Sequence, residues 1–507
     1  MPLPRIPARL APPCRLVTVG VMALALILGS RAWGQVGGQQ GGQLGGGQLG
    51  GGAGQLGGGG GQLGGGGGQL GGGGGGGGGL QPAGVFIDPQ GVLRQTGAAH
   101  AGLSAAHRKA AIEALPGDLQ KPAPLRKVAL SRLEAAVAQA AADGTRLPDE
   151  VEKLAGLTRL QYVFVYPAEG DTPGEIVLAG PAEPWITDAT GRVVGAATGG
   201  PTLLLEDLAT ALRSFAPGQS HDTLVGCSID PTKEGLARMQ AFLKQVGKVN
   251  PQGGVDRIVA GMREALGPQT VTVQGVPAGS HFARVLVEAD YRMKLIGIGL
   301  ERPPVRMPVW IELASAGAVA ANALQRWYFM PDYECVRISE DDLAIELVGR
   351  GVKLCGADEV VQPDGSRLSA MRADQASRTF TEAFTDKYAE IAATSPVYAQ
   401  LRNMIDLVVA AAYLQEHDAY GKAGWGAEQL RDESCCAVER LTPPAQAETA
   451  IHAVWRGTRL LTPIGGGVVI EPRRAVQAPN LLGDESGAVQ SAHAAAHDLP
   501  TAGWYWD

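Results

Sequence analysis

The sequence predicts an α+β fold of mixed helices and an antiparallel β-meander, with α/β features in its first half and a disordered glycine-rich N-terminal arm. Three observations predict it. Between residues 36 and 80, 30 of 45 residues are glycine. From residue 84 to about 270, short runs of β-formers alternate with helical patterns. From 326 to 361, four strand-like runs follow one another across short turns, and a long apolar helix comes after them.

The chain opens with an export pattern. Arg5, Arg9 and Arg15 form a basic region around the start of a 14-residue apolar run, residues 16–29. Ala32-Trp33-Gly34 then places small residues at both positions a signal peptidase reads. Residues 1–34 are expected to be a signal peptide cleaved after Gly34. Spanning a bilayer takes roughly 20 apolar residues, and no other stretch reaches that length. The expected location is exported, periplasmic or extracellular, with no membrane span after cleavage. The alternative is a membrane anchor left by an uncleaved signal.

Residues 35–83 form a linker rich in glycine, in which Gly-Gln-Leu repeats place leucines at 44, 49, 56, 63 and 70. The spacing settles at a heptad, but glycine costs a helix roughly 1 kcal/mol per residue. One leucine in seven cannot offset the chain entropy of ordering. A disordered arm is expected.

Loss of the first 34 residues removes four arginines and leaves 39 basic against 50 acidic side chains. This balance argues against nucleic acid as a partner, because phosphate backbones demand a basic surface. Of six cysteines, Cys227, Cys335, Cys355, Cys435 and Cys436 follow the signal. Their number is odd and no CxxC occurs, so a disulfide framework is not expected.

Residues 84–94 form a hairpin around Asp88-Pro89-Gln90-Gly91. Helices follow at about 104–115 and 125–142, then strands at 160–166, 175–179 and 192–197. A helix opening at Pro201 and Glu206 runs to Phe215. Residues 222–230 read as a buried strand, 231–246 and 254–266 as helices. Residues 270–276 and 282–290 read as strands, with a helix from Tyr291 to Leu300. The meander takes 326–331, 334–339, 343–349 and 351–361. Ser395-Pro396 supplies an N-cap and a proline at the first helical position for a central helix reaching about His417. A strand, glycine turn and strand fill 459–472. The expected domains are 84–269, an α/β-type subdomain, and 270–475, an α+β subdomain, followed by a flexible tail at 476–507.

The segments "HFARVLVEADYRMKLIGIGLE" (281–301), "RWYFMPDYECVRISEDDLAIELVG" (326–349), "SPVYAQLRNMIDLVVAAAYLQ" (395–415) and "AVWRGTRLLTPIGGGVVI" (453–470) resemble a domain-of-unknown-function family. That family consists of predicted exported proteins of planctomycete-type bacteria, and the resemblance covers about residues 84–475. It implies a location and a bacterial origin. It implies no activity.

Outside the glycine tract the sequence shows no Walker A, GxGxxG, HExxH, GxSxG or EF-hand pattern. Neither a cofactor nor a metal is expected. Gly465-Gly466-Gly467 lacks the lysine and hydroxyl of a phosphate loop and reads as a close backbone turn. Asp406, inside the apolar helix, is a candidate proton-transfer carboxylate, or one half of an ion pair with Arg402 a turn earlier. His281, Glu288, Asp290, Arg292, Lys294 and Glu301 form a polar cluster, either an acid/base pocket or a paired surface. His493 and His497 in "HAAAH" could share a metal or lie in the tail. Trp327, Tyr328 and Trp455 are expected in the core; with Trp504 and Trp506 they could instead line a carbohydrate or peptide surface.

Two functions are open at this point. One is a non-enzymatic binding or structural module at the cell envelope, with an envelope protein or polysaccharide as partner. The other is a hydrolase-like enzyme in which Asp290, His281 or Asp406 is catalytic. The first calls for a broad exposed apolar surface, the second for a pocket where acids converge on a base.

Overall fold

The computed structural model describes residues 85–507 apart from 89, 96–103, 220–222, 247–253, 315–322, 358, 362–366, 370–374, 453, 457–458, 462–464, 498–499 and 501–502. The expected signal peptide and glycine-rich arm lie outside the described residues. Helices and mixed sheets make up an α+β fold.

Two large sheets carry the architecture. The first runs Val85–Ile87, Val92–Gln95, Gln446–Ala447, Gln269–Gln274, Val225–Asp230, Gly466–Ile470, Trp327–Pro331, Val352–Gly356. Its pairs are antiparallel except Val92–Gln95 with Gln446–Ala447, and Gly466–Ile470 with Trp327–Pro331. The second runs Leu481–Gly483, Val336–Ile338, Ala344–Leu347, Tyr162–Tyr166, Glu175–Ala182, Ala123–Ala129, Tyr505–Trp506. Only its first pair is parallel. Residue 270 falls within strand Gln269–Gln274, which pairs on one side with Val225–Asp230 and on the other with Gln446–Ala447.

Helix His281–Gly297 packs on strands Val225–Asp230 and Gly466–Ile470 of the first sheet. Helix Pro396–Glu416 lies against it and against helix Leu205–Ser214. Phe282, Val285, Leu286, Met293 and Leu295 of the first helix and Leu401, Ile405, Val408 and Leu414 of the second are fully buried. Each such side chain contributes roughly 1.5–3 kcal/mol of transfer free energy. Trp327, Phe329, Phe380, Phe384, Tyr388 and Tyr398 interlock beside them, with ring centroids 4.9–6.4 Å apart.

Four stretches differ from their sequence reading. Residues 282–290 are helix, not strand. Val285 and Val287 favour a strand locally, but the segment is buried on nearly all sides, which hides the helical period. The Ser280 hydroxyl caps the helix by accepting from the Ala283 amide at 3.1 Å. Residues 123–129 are a strand that leads straight into helix Leu130–Ala142. Pairing with Glu175–Ala182 and Tyr505–Trp506 decides the strand there.

The expected meander is split between the two sheets. Trp327–Pro331 pairs with Val352–Gly356 in the first sheet. The hairpin between them, Val336–Ile338 with Ala344–Leu347, belongs to the second. Alternating strand signals fix where strands are, not which strands meet. Residues 476–507, read as a tail, hold strand Leu481–Gly483, helix Ala488–Ala495 and strand Tyr505–Trp506. Arg126, 1% exposed, anchors this segment through Asp507 at 2.6 and 3.0 Å. The glycine turn is a close approach: a Cβ at Gly466 (φ +149°) would sit 2.4 Å from the Trp327 carbonyl oxygen.

Candidate functional site

Helix His281–Gly297 begins with the sequence "HFARVLVE", which places His281, Arg284 and Glu288 along one face. This face lines a cavity of about 260 Å³. The opposite wall comes from the start of helix Leu205–Ser214, with Glu206, and from Thr202 just before it. Arg192 enters from the turn after Asp188, Gln400 from helix Pro396–Glu416, and Cys436 and Arg440 from the segment beyond residue 431.

The charged groups hold one another in place. His281 Nδ1 lies 3.0 and 2.9 Å from the two carboxylate oxygens of Asp207, which is 1% exposed. Arg192 spans the site, donating to Glu288 at 2.5 Å and also to the Gln400 side-chain oxygen. With its oxygen so engaged, Gln400 turns its amide nitrogen to His281 Nε2 at 3.4 Å. An imidazole that accepts there carries its proton on Nδ1 and gives it to Asp207. Glu288 also faces Arg292 at 3.5 Å, which binds Glu301 at 2.6 Å.

Protonation is tuned around this cavity. Burial opposes charge on His281, but the Asp207 charge and hydrogen bond, with Glu206, outweigh it and raise the imidazole above its ordinary value. Burial, aided by the Asp207 charge, raises the Glu206 carboxyl despite the opposing pull of His281. The Cys436 thiol is pushed up to about 11 by burial, so it stays protonated at neutral pH. A base and an acid with perturbed proton affinities in one cavity can exchange protons with a ligand.

The three sequence candidates separate. His281 is in the cavity wall. Asp290 is fully buried two and a half turns further along its helix, where one carboxylate oxygen pairs with Lys294 at 2.9 Å and the other has no hydrogen-bond partner. Burial pushes its carboxyl up to about 6. Lys294 also donates to the Ile229 carbonyl at 3.0 Å. Asp406 is 2% exposed and reaches Arg159 at 3.5 Å, from a different part of the chain than the expected Arg402. Arg402 contributes attraction to it without a hydrogen bond. Its carboxyl is raised by burial.

The other sequence candidates are packed into the fold. His493 and His497 both meet the Tyr166 ring, and His493 Nε2 lies 3.1 Å from the Val165 carbonyl oxygen. Among the described residues no group of three metal-ligating side chains forms. Trp327 is buried and donates to Ser377 at 2.7 Å, and the Trp455 side chain lies outside the described residues. The five described cysteines are free. No described helix is long and apolar enough to cross a membrane.

Thr202, Arg192, Glu206, Asp207, Arg284 and Gln400 were not singled out as site residues in the sequence. Glu206-Asp207 at a helix start reads as an ordinary favourable charge near the positive end of the helix. Only its meeting with His281, 74 residues on, gives it another meaning.

The fold is α+β, with a charged, partly enclosed cavity between its helices. Residues 227–310 match the model of a family described as a protein of unknown function, DUF1598. His281, Arg284 and Glu288 fall within the matched segment; Asp207, Arg192 and Gln400 fall outside it. No curated protein and no solved structure matches the chain.

Proposed function

We propose that the chain is an exported binding module whose ligand, a small polar molecule, sits in the cavity between His281 and Glu206. The observation that carries this reading is preorganisation. Two charged groups of the wall are fixed by further contacts: His281 by Asp207, and Arg192 by both Glu288 and Gln400. Side chains held in this way lose little entropy on binding. The volume of about 260 Å³ is near the lower end for small-molecule sites. An envelope role as a docking protein has weaker support. Among the described residues the exposed large apolar side chains are Leu224, Leu300 and Leu313, each under 40% exposed, which falls short of a broad apolar face.

A thermal-shift screen of the full chain against small polar molecules tests this reading. Stabilisation by a compound, lost in Arg192→Ala at equal ligand concentration, supports it. A wild-type chain that no compound stabilises counts against it.

A second reading is a hydrolase-like enzyme. The contact that favours it is the Asp207–His281 pair facing Glu206, a base held beside a carboxyl that burial favours in its protonated form. Turnover of an ester panel by the wild type, abolished in His281→Gln, would support it over simple binding.

A further inference from the structure

We propose that the ligand carries a single carboxylate, gripped by the Arg284 guanidinium and by the Thr202 hydroxyl. This rests on the cavity being the ligand site. Three observations carry it.

The first is charge pairing. Along the cavity wall Lys153 pairs with Glu152 at 2.8 Å, Arg192 with Glu288, and His281 with Asp207. Arg284 is half-buried and makes no ion pair among the described residues; burial lowers its affinity for its proton. A desolvated guanidinium is costly unless a partner anion meets it.

The second is an orphaned hydroxyl. Thr202, 4% exposed and in the wall of the same cavity, has an Oγ1 with no hydrogen-bond partner. A buried hydroxyl left unpaired costs free energy that a ligand oxygen would recover. The backbone amide of Thr202 donates to the Val193 carbonyl, so the unmet hydrogen-bonding capacity is that of the side chain.

The third observation sets the charge of the ligand. After the paired groups, Arg284, the exposed Arg440 and Glu206 remain in the lining. With Glu206 ionised, two cations against one carboxyl leave room for one negative charge, not two. Glu206, Glu288 and Asp207 would repel a phosphate dianion more strongly than a carboxylate. A guanidinium also matches the two oxygens of a carboxylate in a fork.

The minimal probe is acetate, titrated into the full chain and followed by the ¹³C line width of the labelled carboxylate. Glucose and inorganic phosphate are titrated in parallel by calorimetry. Saturable acetate binding is expected, weakened about tenfold or more in Arg284→Met and several-fold in Thr202→Val. His281 and Arg192 are untouched in both variants, and circular dichroism establishes that each folds. Phosphate binding tighter than acetate, or acetate binding equal in Arg284→Met and wild type, overturns the inference. Binding of glucose alone overturns it too, while leaving the small-ligand reading intact. If neither the probes nor the wider screen yields binding, both fall.

Discussion

Asp207 and His281, 74 residues apart in sequence, meet with both carboxylate oxygens within 3.0 Å of the imidazole Nδ1. The contact joins the first turn of one helix to the first residue of another. It fixes the tautomer of the histidine and raises its proton affinity. Replacing Asp207 by Asn keeps the shape and removes the charge. The imidazole pKa should then drop by roughly one unit or more, read from a ¹⁵N-edited NMR titration of His281. The stabilisation from the charged pair is full below the ordinary histidine range and fades as pH rises through the raised folded value. An unchanged titration in Asp207→Asn would mean that the carboxylate does not govern the ring.

Glu288 stands between Arg192 and Arg292, at 2.5 and 3.5 Å, with 1% of its side chain exposed. Its removal leaves Arg192 buried without its carboxylate. Glu288→Ala should cost roughly 3–5 kcal/mol in a denaturant titration. A loss below about 1 kcal/mol would show that Gln400 alone satisfies Arg192.

Asp290 provides a test by pH. Its carboxyl is raised from an ordinary 3.8 to about 6, chiefly by burial and against the pull of Lys294. The protonated acid therefore suits the folded state better than the ionised one. This contribution to stability is full below about 4 and is lost as pH rises through about 6. It amounts to order 1–3 kcal/mol. Unfolding free energy measured from pH 4 to 7 should show the step in wild type and lack it in Asp290→Asn. The same step in both chains would assign it elsewhere.

Gly466 is a position beside helix His281–Gly297 where a methyl group has little room. A Cβ would come within 2.4 Å of a backbone oxygen and 2.7 Å of Lys294 Cε. Its φ of +149° adds strain for any other residue. Gly466→Ala should destabilise by roughly 2–4 kcal/mol, measured by thermal unfolding. Near-neutral behaviour would show that the strand shifts away from Trp327 without cost.

Local signals were legible where the chain makes its own contacts. Asp88 accepts from the Gln90 and Val92 amides and turns the first hairpin, as Asp-Pro-Gln-Gly suggests. Ser395-Pro396 starts the long helix, with Pro396 in its first turn and no cap bond from the Ser395 side chain. Legibility failed where burial replaced amphipathicity. Helix His281–Gly297 buries residues on nearly all its sides, so its valines looked like strand. It failed again where partners are distant: nothing near residue 336 says that its strand leaves for another sheet. The site was half legible for the same reason. His281 stood out as a titratable group among polar neighbours. Asp290 and Asp406 stood out too, as acids in apolar runs, and each is buried beside a cation outside the cavity. The partners that give His281 its chemistry, Asp207 with Glu206, Gln400 and Arg192, come from three other segments.

The hairpin that leaves the first sheet for the second also sets how this molecule comes apart. In the first sheet Gln446–Ala447 lies between Val92–Gln95 and Gln269–Gln274, and Gly466–Ile470 between Val225–Asp230 and Trp327–Pro331, while the excursion at 332–351 is stitched into the second. Neither sheet can be completed by one continuous stretch of chain. Unfolding should therefore be a single concerted event, with fluorescence and far-ultraviolet dichroism melting together. Refolding should be slow, because most strand pairs must wait for distant loops to close. Two fragments divided at residue 270 should each fail to fold alone, and should regain structure only when mixed.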